Sequence, residues 1–88
     1  MEDFQKINQS IPIQMYSCTD SNGTIHPQKF KFQEKDGTIH TYDILRIHDK
    51  KELPGNYILF EVVVENYGTE KIVRLSYRLL EHKWKLLL

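Results

Sequence analysis

The sequence predicts an all-β protein, a six-stranded antiparallel meander curled into a small open barrel or a strongly bent sheet. Three observations carry this. Apolar and polar residues alternate with a period of two through several segments. Short turn-forming stretches separate those segments. The tetrapeptide Gly-Thr-Ile-His occurs at Gly23 to His26 and again at Gly37 to His40, directly after Asn22 and Asp36, and marks two hairpins. At 88 residues the chain holds one core, because two would leave each half too small to fold without staples. The expected organisation is an N-terminal arm or short helix over 1–10 and a single β-domain over 11–88.

Phe4, Ile7 and Ile11 have helical spacing but no strong caps, so the N-terminal stretch reads as either a helix or a frayed arm. From Ile11 to Cys18 the residues Ile11, Ile13 and Met15 alternate with Pro12, Gln14 and Tyr16, as in a strand. Asn22-Gly23 suits a two-residue turn with Ser21 opposite Thr24, which sets Met15 against Phe30 and Ile13 against Phe32. Pro27 lacks a ladder donor and belongs at an edge or a bulge.

In the second hairpin a two-residue turn would mix the faces. A three-residue loop, Lys35-Asp36-Gly37 with Gly37 in the left-handed region, pairs Glu34 with Thr38, Phe32 with His40 and Phe30 with Tyr42. Leu45 and Ile47 then break the alternation and predict a kink. The stretch His48 to Asn56 reads as a polar connection, with room for a helical turn before Pro54-Gly55.

Tyr57 to Glu65 is apolar on both faces and reads as the central strand. A turn at Asn66-Tyr67-Gly68-Thr69 pairs Glu65 with Glu70, Val62 with Val73, Phe60 with Leu75, Glu61 with Arg74 and Tyr57 with Arg78. A last turn at Glu81-His82 sets Trp84 against Leu79, Leu86 against Tyr77 and Leu88 against Leu75.

Twelve basic and twelve acidic residues cancel, so no whole-molecule field draws the chain to nucleic acid or an anionic membrane. Cys18 is the single cysteine, which excludes an internal disulfide and fits a reducing cytoplasm. No run of about 18 apolar residues is present to span a bilayer, and the acidic start at Met1-Glu2-Asp3-Phe4 is unlike an export leader.

Four segments carry a resemblance: Ile11-Pro12-Ile13, Pro27 ahead of Phe30-Lys31-Phe32, Leu53-Pro54-Gly55-Asn56 ahead of an apolar strand, and Lys83-Trp84-Lys85 near the end. Over 11–88 the chain resembles a group of short, uncharacterised Gram-positive bacterial all-β proteins. The resemblance implies no particular activity. Comparable small domains beside DNA-repair polymerases put nucleic-acid-associated work among its implications.

The four histidines do not form a metal site on this reading, since His26 lies about 20 Å along the strand from the position facing His40, and no ligand spacing links His48 or His82 to a partner. Asp20-Ser21-Asn22-Gly23 has the start of a calcium loop, but Lys31 stands where the bidentate glutamate belongs. No nucleophile signature surrounds Cys18, and no phosphate loop or cofactor motif occurs, so neither catalysis nor a cofactor is expected.

Two surfaces remain. Tyr57, Leu59, Val63 and Ile72 make an apolar group too large to stay in full solvent, to be covered by the N-terminal arm with Phe4 and Ile7, by a second copy of the chain or by a different protein. A protein interface is the first expectation, and the basic residues that follow share this outer face. Arg74, Arg78, Lys83 and Lys85 make a basic patch, with Arg78 beside Lys85 and with Lys29 and Lys31 as an extension if the barrel closes. That patch, with Tyr57 or Tyr67 as a stacking platform, is the basis of the alternative, a β-barrel that binds nucleic-acid single strands. The first expectation is a non-catalytic β-domain acting through a protein interface.

Overall fold

The computed structural model describes residues 10–87, all-β and without helix over that span. The strands are β1 (Ser10–Pro12), β2 (Gln14–Thr19), β3 (Ile25–Gln33), β4 (Ile39–Leu53), β5 (Tyr57–Asn66), β6 (Thr69–Arg78) and β7 (Lys83–Leu87). They form one antiparallel sheet in the order β1-β7-β6-β5-β4-β3-β2, curled into a half-barrel. Phe4 and Ile7 of the expected N-terminal arm or helix lie outside the described residues, and Ile11 sits in β1, paired with Leu86.

There are seven strands rather than six because the expected first strand divides at Ile13. Its two halves are neighbours in sequence but occupy opposite ends of the strand order. A flat sheet cannot satisfy that; the curl brings both edges to one short stretch of chain. The expected Ile13–Phe32 pair is replaced by a bond across the seam, in which the Ile13 amide donates to the Trp84 carbonyl at 3.3 Å.

The core lies on the concave face. Phe30, Phe60, Val62, Val64 and Leu75 are fully buried, and Ile58, Tyr77, Trp84 and Leu86 complete the cluster. Each such side chain contributes about 1.5–3 kcal/mol by leaving water. Phe30, Phe32, His40 and Tyr42 stack along β3 and β4 with ring centroids 5.0 to 6.5 Å apart.

The second hairpin has the expected three-residue loop: the Glu34 amide donates to Thr38, the Gly37 amide donates to Glu34, and Gly37 has φ 94. The first hairpin adopts the same loop in place of the expected two-residue turn. The Asp20 amide donates to the Thr24 carbonyl at 3.0 Å, and the Asp20 carboxylate accepts from the amides of Asn22 and Thr24. That aspartate stabilises the longer loop over Asn-Gly. The resulting offset is cancelled where Ser17 pairs with Pro27 but Tyr16 with Lys29, leaving Gln28 as a bulge and restoring Met15 to Phe30.

β4 corrects a second expectation. The stretch from His48 is not a loop with a helical turn: Asp49 to Leu53 pair with Tyr57 to Glu61, and the chain turns only at Pro54-Gly55-Asn56. β3 pairs with β4 only through Asp43, so the later half of β4 is an edge. Its charged residues are what an exposed edge carries to resist pairing with other chains. Register shifts between Ile44 and Arg46 and between Ile47 and Asp49 supply the expected kink.

The β5–β6 ladder has the expected register throughout. The β6–β7 ladder is shifted by two residues, with Tyr77 opposite Trp84 and Leu75 opposite Leu86, because four residues rather than two make the turn. Leu88 lies outside the described residues. A two-residue shift preserves which face each side chain occupies, so the core is unchanged. No helix among the described residues is long and apolar enough to cross a membrane.

Candidate functional site

The convex face of β5, β6 and β7 carries three cross-strand rows. Leu53, Tyr57, Arg78 and Lys83 form one; Leu59, Ser76 and Lys85 form the next; Glu61, Arg74 and Leu87 form the third. Ser76, the smallest side chain, stands in the middle. The larger groups around it wall a depression of about 600 Å³ lined by Leu53, Tyr57, Leu59, Arg74, Arg78, Lys83, Lys85 and Leu87.

Arg78 is the most constrained cation there. Its Nε donates to the Tyr57 hydroxyl at 2.6 Å, its guanidinium lies 4.8 Å from the Tyr57 ring centroid, and Nη1 meets Glu81 Oε2 at 2.9 Å. The hydrogen bond to Tyr57, with the Glu81 carboxylate, holds the guanidinium pKa above its ordinary value despite partial burial. Tyr57 therefore has one ring face engaged by Arg78. Among the described residues no carboxylate lies within 4.0 Å of Arg74, Lys83 or Lys85, the ion pairs being those of His26, His40, Arg46 and Arg78.

The two surfaces expected from sequence thus meet in one cleft, the basic one entire and the apolar one in part. Tyr57 and Leu59 line it with all four of the basic residues. Val63 is only 4% exposed. It is flanked by Arg46 and Ile72, and the Arg46–Glu70 bridge of 3.0 Å spans β5 beside it, so the chain covers that residue itself. Ile72 stays exposed but stands apart from the cleft. Arg78 sits beside Lys83, not Lys85, whose partner is Ser76. Tyr67 is 96% exposed at the β5–β6 turn, the full length of β5 from Tyr57.

Lys29 and Lys31 lie 5.0 and 5.7 Å from the Tyr16 ring. Lys31 pairs with Gln14 and Lys85 with Pro12, so the two lysines flank the seam from opposite sides.

The histidines take separate partners. His26 Nε2 is 2.9 Å from Asp20, His82 Nδ1 is 3.0 Å from the Tyr77 hydroxyl, and His40 Nε2 is 3.3 Å from Glu34 without hydrogen-bond alignment. No group of three or more His, Cys, Asp or Glu side chains gathers at metal distance among the described residues. Sequence reading missed the Asp20–His26 pair, and register alone reveals that Cys18 is the cross-strand neighbour of His26. Cys18 is exposed, and no hydrogen bond joins it to His26 among the described residues. No family model, curated protein or solved structure matches this chain.

Proposed function

We propose that this chain is a non-catalytic β-domain that acts through a protein interface, with the Ser76-centred cleft as the docking surface. The observation that carries this is the pairing of apolar walls, Leu53, Tyr57 and Leu59, with four basic groups in one depression. Charge complementarity selects an acidic partner segment bearing apolar side chains. A second copy is a poor occupant, since a two-fold contact would set these cations against themselves. Arg78, already pinned by Tyr57 and Glu81, requires little side-chain ordering on binding.

A single nucleic-acid strand is the second reading, favoured by the continuation of basic residues past the seam to Lys31, Lys29 and Tyr16. One titration separates the two. Amide shifts of Leu59, Ser76 and Lys85 are followed as a glutamate- and leucine-rich peptide or an oligothymidine is added over a salt series. Peptide saturation confined to the cleft supports the protein interface. Oligothymidine binding with a steep salt slope and no peptide response replaces it with the second reading, and silence from both sinks the cleft as a docking surface.

A further inference from the structure

We infer that the seam of the half-barrel is a second binding site, which takes an extended peptide as an added strand on the free edge of β2. The chain from Ser10 to Thr19 serves β7 with its first half and β3 with its second, and beyond Ile13 the two sheet edges diverge. Between them lies a groove of about 760 Å³, within the ordinary range for ligand sites of roughly 300–1,000 Å³.

The free edge has a defined hydrogen-bonding face. In an antiparallel pair, successive residues point their main-chain groups alternately toward and away from the partner strand. Asp20 bonds to Thr24 across the β2–β3 hairpin, so Cys18 also faces β3, whereas Thr19, Ser17 and Met15 face outward. Ile13 continues the outward series, and its amide is the one already donated to Trp84. Met15, Ser17 and Thr19 therefore offer amides and carbonyls in a row, with no main-chain partner among the described residues.

Two further features make this edge receptive. Edges are commonly blunted by lysine, proline or a charge, as the later half of β4 is, yet Gln14–Thr19 contains no charged residue, proline or glycine. Ile13, Met15 and Ile25 on the near side of the groove and Tyr77 and Trp84 on the far side provide an apolar floor for alternate side chains of an added strand.

Charge decides the occupant. His82, Lys83 and Lys85 stand on the rim, and no Asp or Glu lines the groove. A second copy adding its own β2 would bring an uncharged strand, followed one strand away by its Lys29 and Lys31. An extended segment with apolar residues at alternate positions and carboxylates at the end nearest Lys83 fits both the edge and the rim. Addition of a strand with side-chain pockets is a recognised mode of peptide binding. The site shares Lys83 and Lys85 with the outer cleft but none of its apolar walls.

The test uses the intact chain and a synthetic peptide alternating valine and threonine and ending in glutamates. Hydrogen exchange is read amide by amide, with emission of Trp84, the single tryptophan, as the second readout. The expected result is a saturable change in emission and slowed exchange at Met15, Ser17 and Thr19, with Cys18 little altered. N-methylation of the peptide amides on the edge-facing side weakens binding about tenfold or more through the lost hydrogen bonds, whereas methylation of the opposite amides leaves it unchanged. Leu59→Asp, which disables the outer cleft, also leaves it unchanged, so this site and the cleft fail independently. Equal binding of both methylated peptides, or no slowed exchange at those amides, overturns the inference. Protection that rises with protein concentration in the absence of peptide overturns it in favour of a second copy.

Discussion

The Ile13 amide and the Trp84 carbonyl, 3.3 Å apart, mark the point at which one run of chain stops serving β7 and begins to serve β3. Ile13 also lines the openings on both sides of the seam. Its position closes the curl without a complete ladder between the two edges.

Ile13→Ala is therefore expected to cost about 1–3 kcal/mol, below the full range for a buried isoleucine because the residue is half-buried. Denaturant unfolding measures the loss. Hydrogen exchange should speed at the β1–β7 amides and remain slow at β5 and β6; uniform acceleration would show that Ile13 is ordinary core and not the closure of the seam.

Tyr67 and Gly68 have φ 52 and 79, the two left-handed positions of a type I′ turn. A bulky tyrosine is a poor occupant of the first, and it is fully out in solvent. Tyr67→Asn should raise stability by about 0.5–1 kcal/mol, read as a higher denaturation midpoint with unchanged slope. A neutral or lower midpoint would show that the tyrosine ring contributes something at this turn.

Asp20 and Asp36 both have carboxyl pKa values below the ordinary 3.8, Asp20 chiefly through His26 and then the Thr24 amide, Asp36 through Thr38. A carboxylate depressed in the folded state stabilises it above the unfolded pKa, and that stability is lost as pH falls through the folded value. Asp20→Asn and Asp36→Asn should each destabilise the chain at neutral pH, with the difference from the parent closing as pH falls below the ordinary carboxyl value of 3.8 and through the depressed folded-state values. Thermal melts across that range check it. A difference that persists in acid would assign the effect to loop geometry and not to charge.

Lys83→Glu combined with Lys85→Glu should leave the unfolding free energy within about 0.5 kcal/mol of the parent, as exposed substitutions do, while binding of acidic peptide is lost. Calorimetric titration beside a denaturant curve makes the comparison. Retained affinity would remove charge complementarity as the basis of docking at both sites.

The candidate surface was legible in its parts and not in its arrangement. Tyr57 opposite Arg78 followed from the β5–β6 turn, whose short loop leaves one sensible register. Arg78 beside Lys83 did not follow, because a two-residue and a four-residue turn before Trp84 both keep the apolar residues inside. Val63 looked exposed because the Arg46–Glu70 bridge that spans its strand joins residues far apart in sequence.

Local alternation and turn chemistry by themselves determined that the chain is an antiparallel β-domain, which side chains face the core, and that Gly37 closes a bulged loop. A period of two is robust to register errors of two, so the inner face came out right even where the pairing did not. Only the tertiary structure decided that the first strand changes partners at Ile13, that the charged residues after His48 form an edge strand, and that the basic and apolar groups of the outer face wall one cleft. Each of these depends on which strands become neighbours once the sheet curls, and curl is set by the twist summed over all strands, which no local stretch of sequence carries.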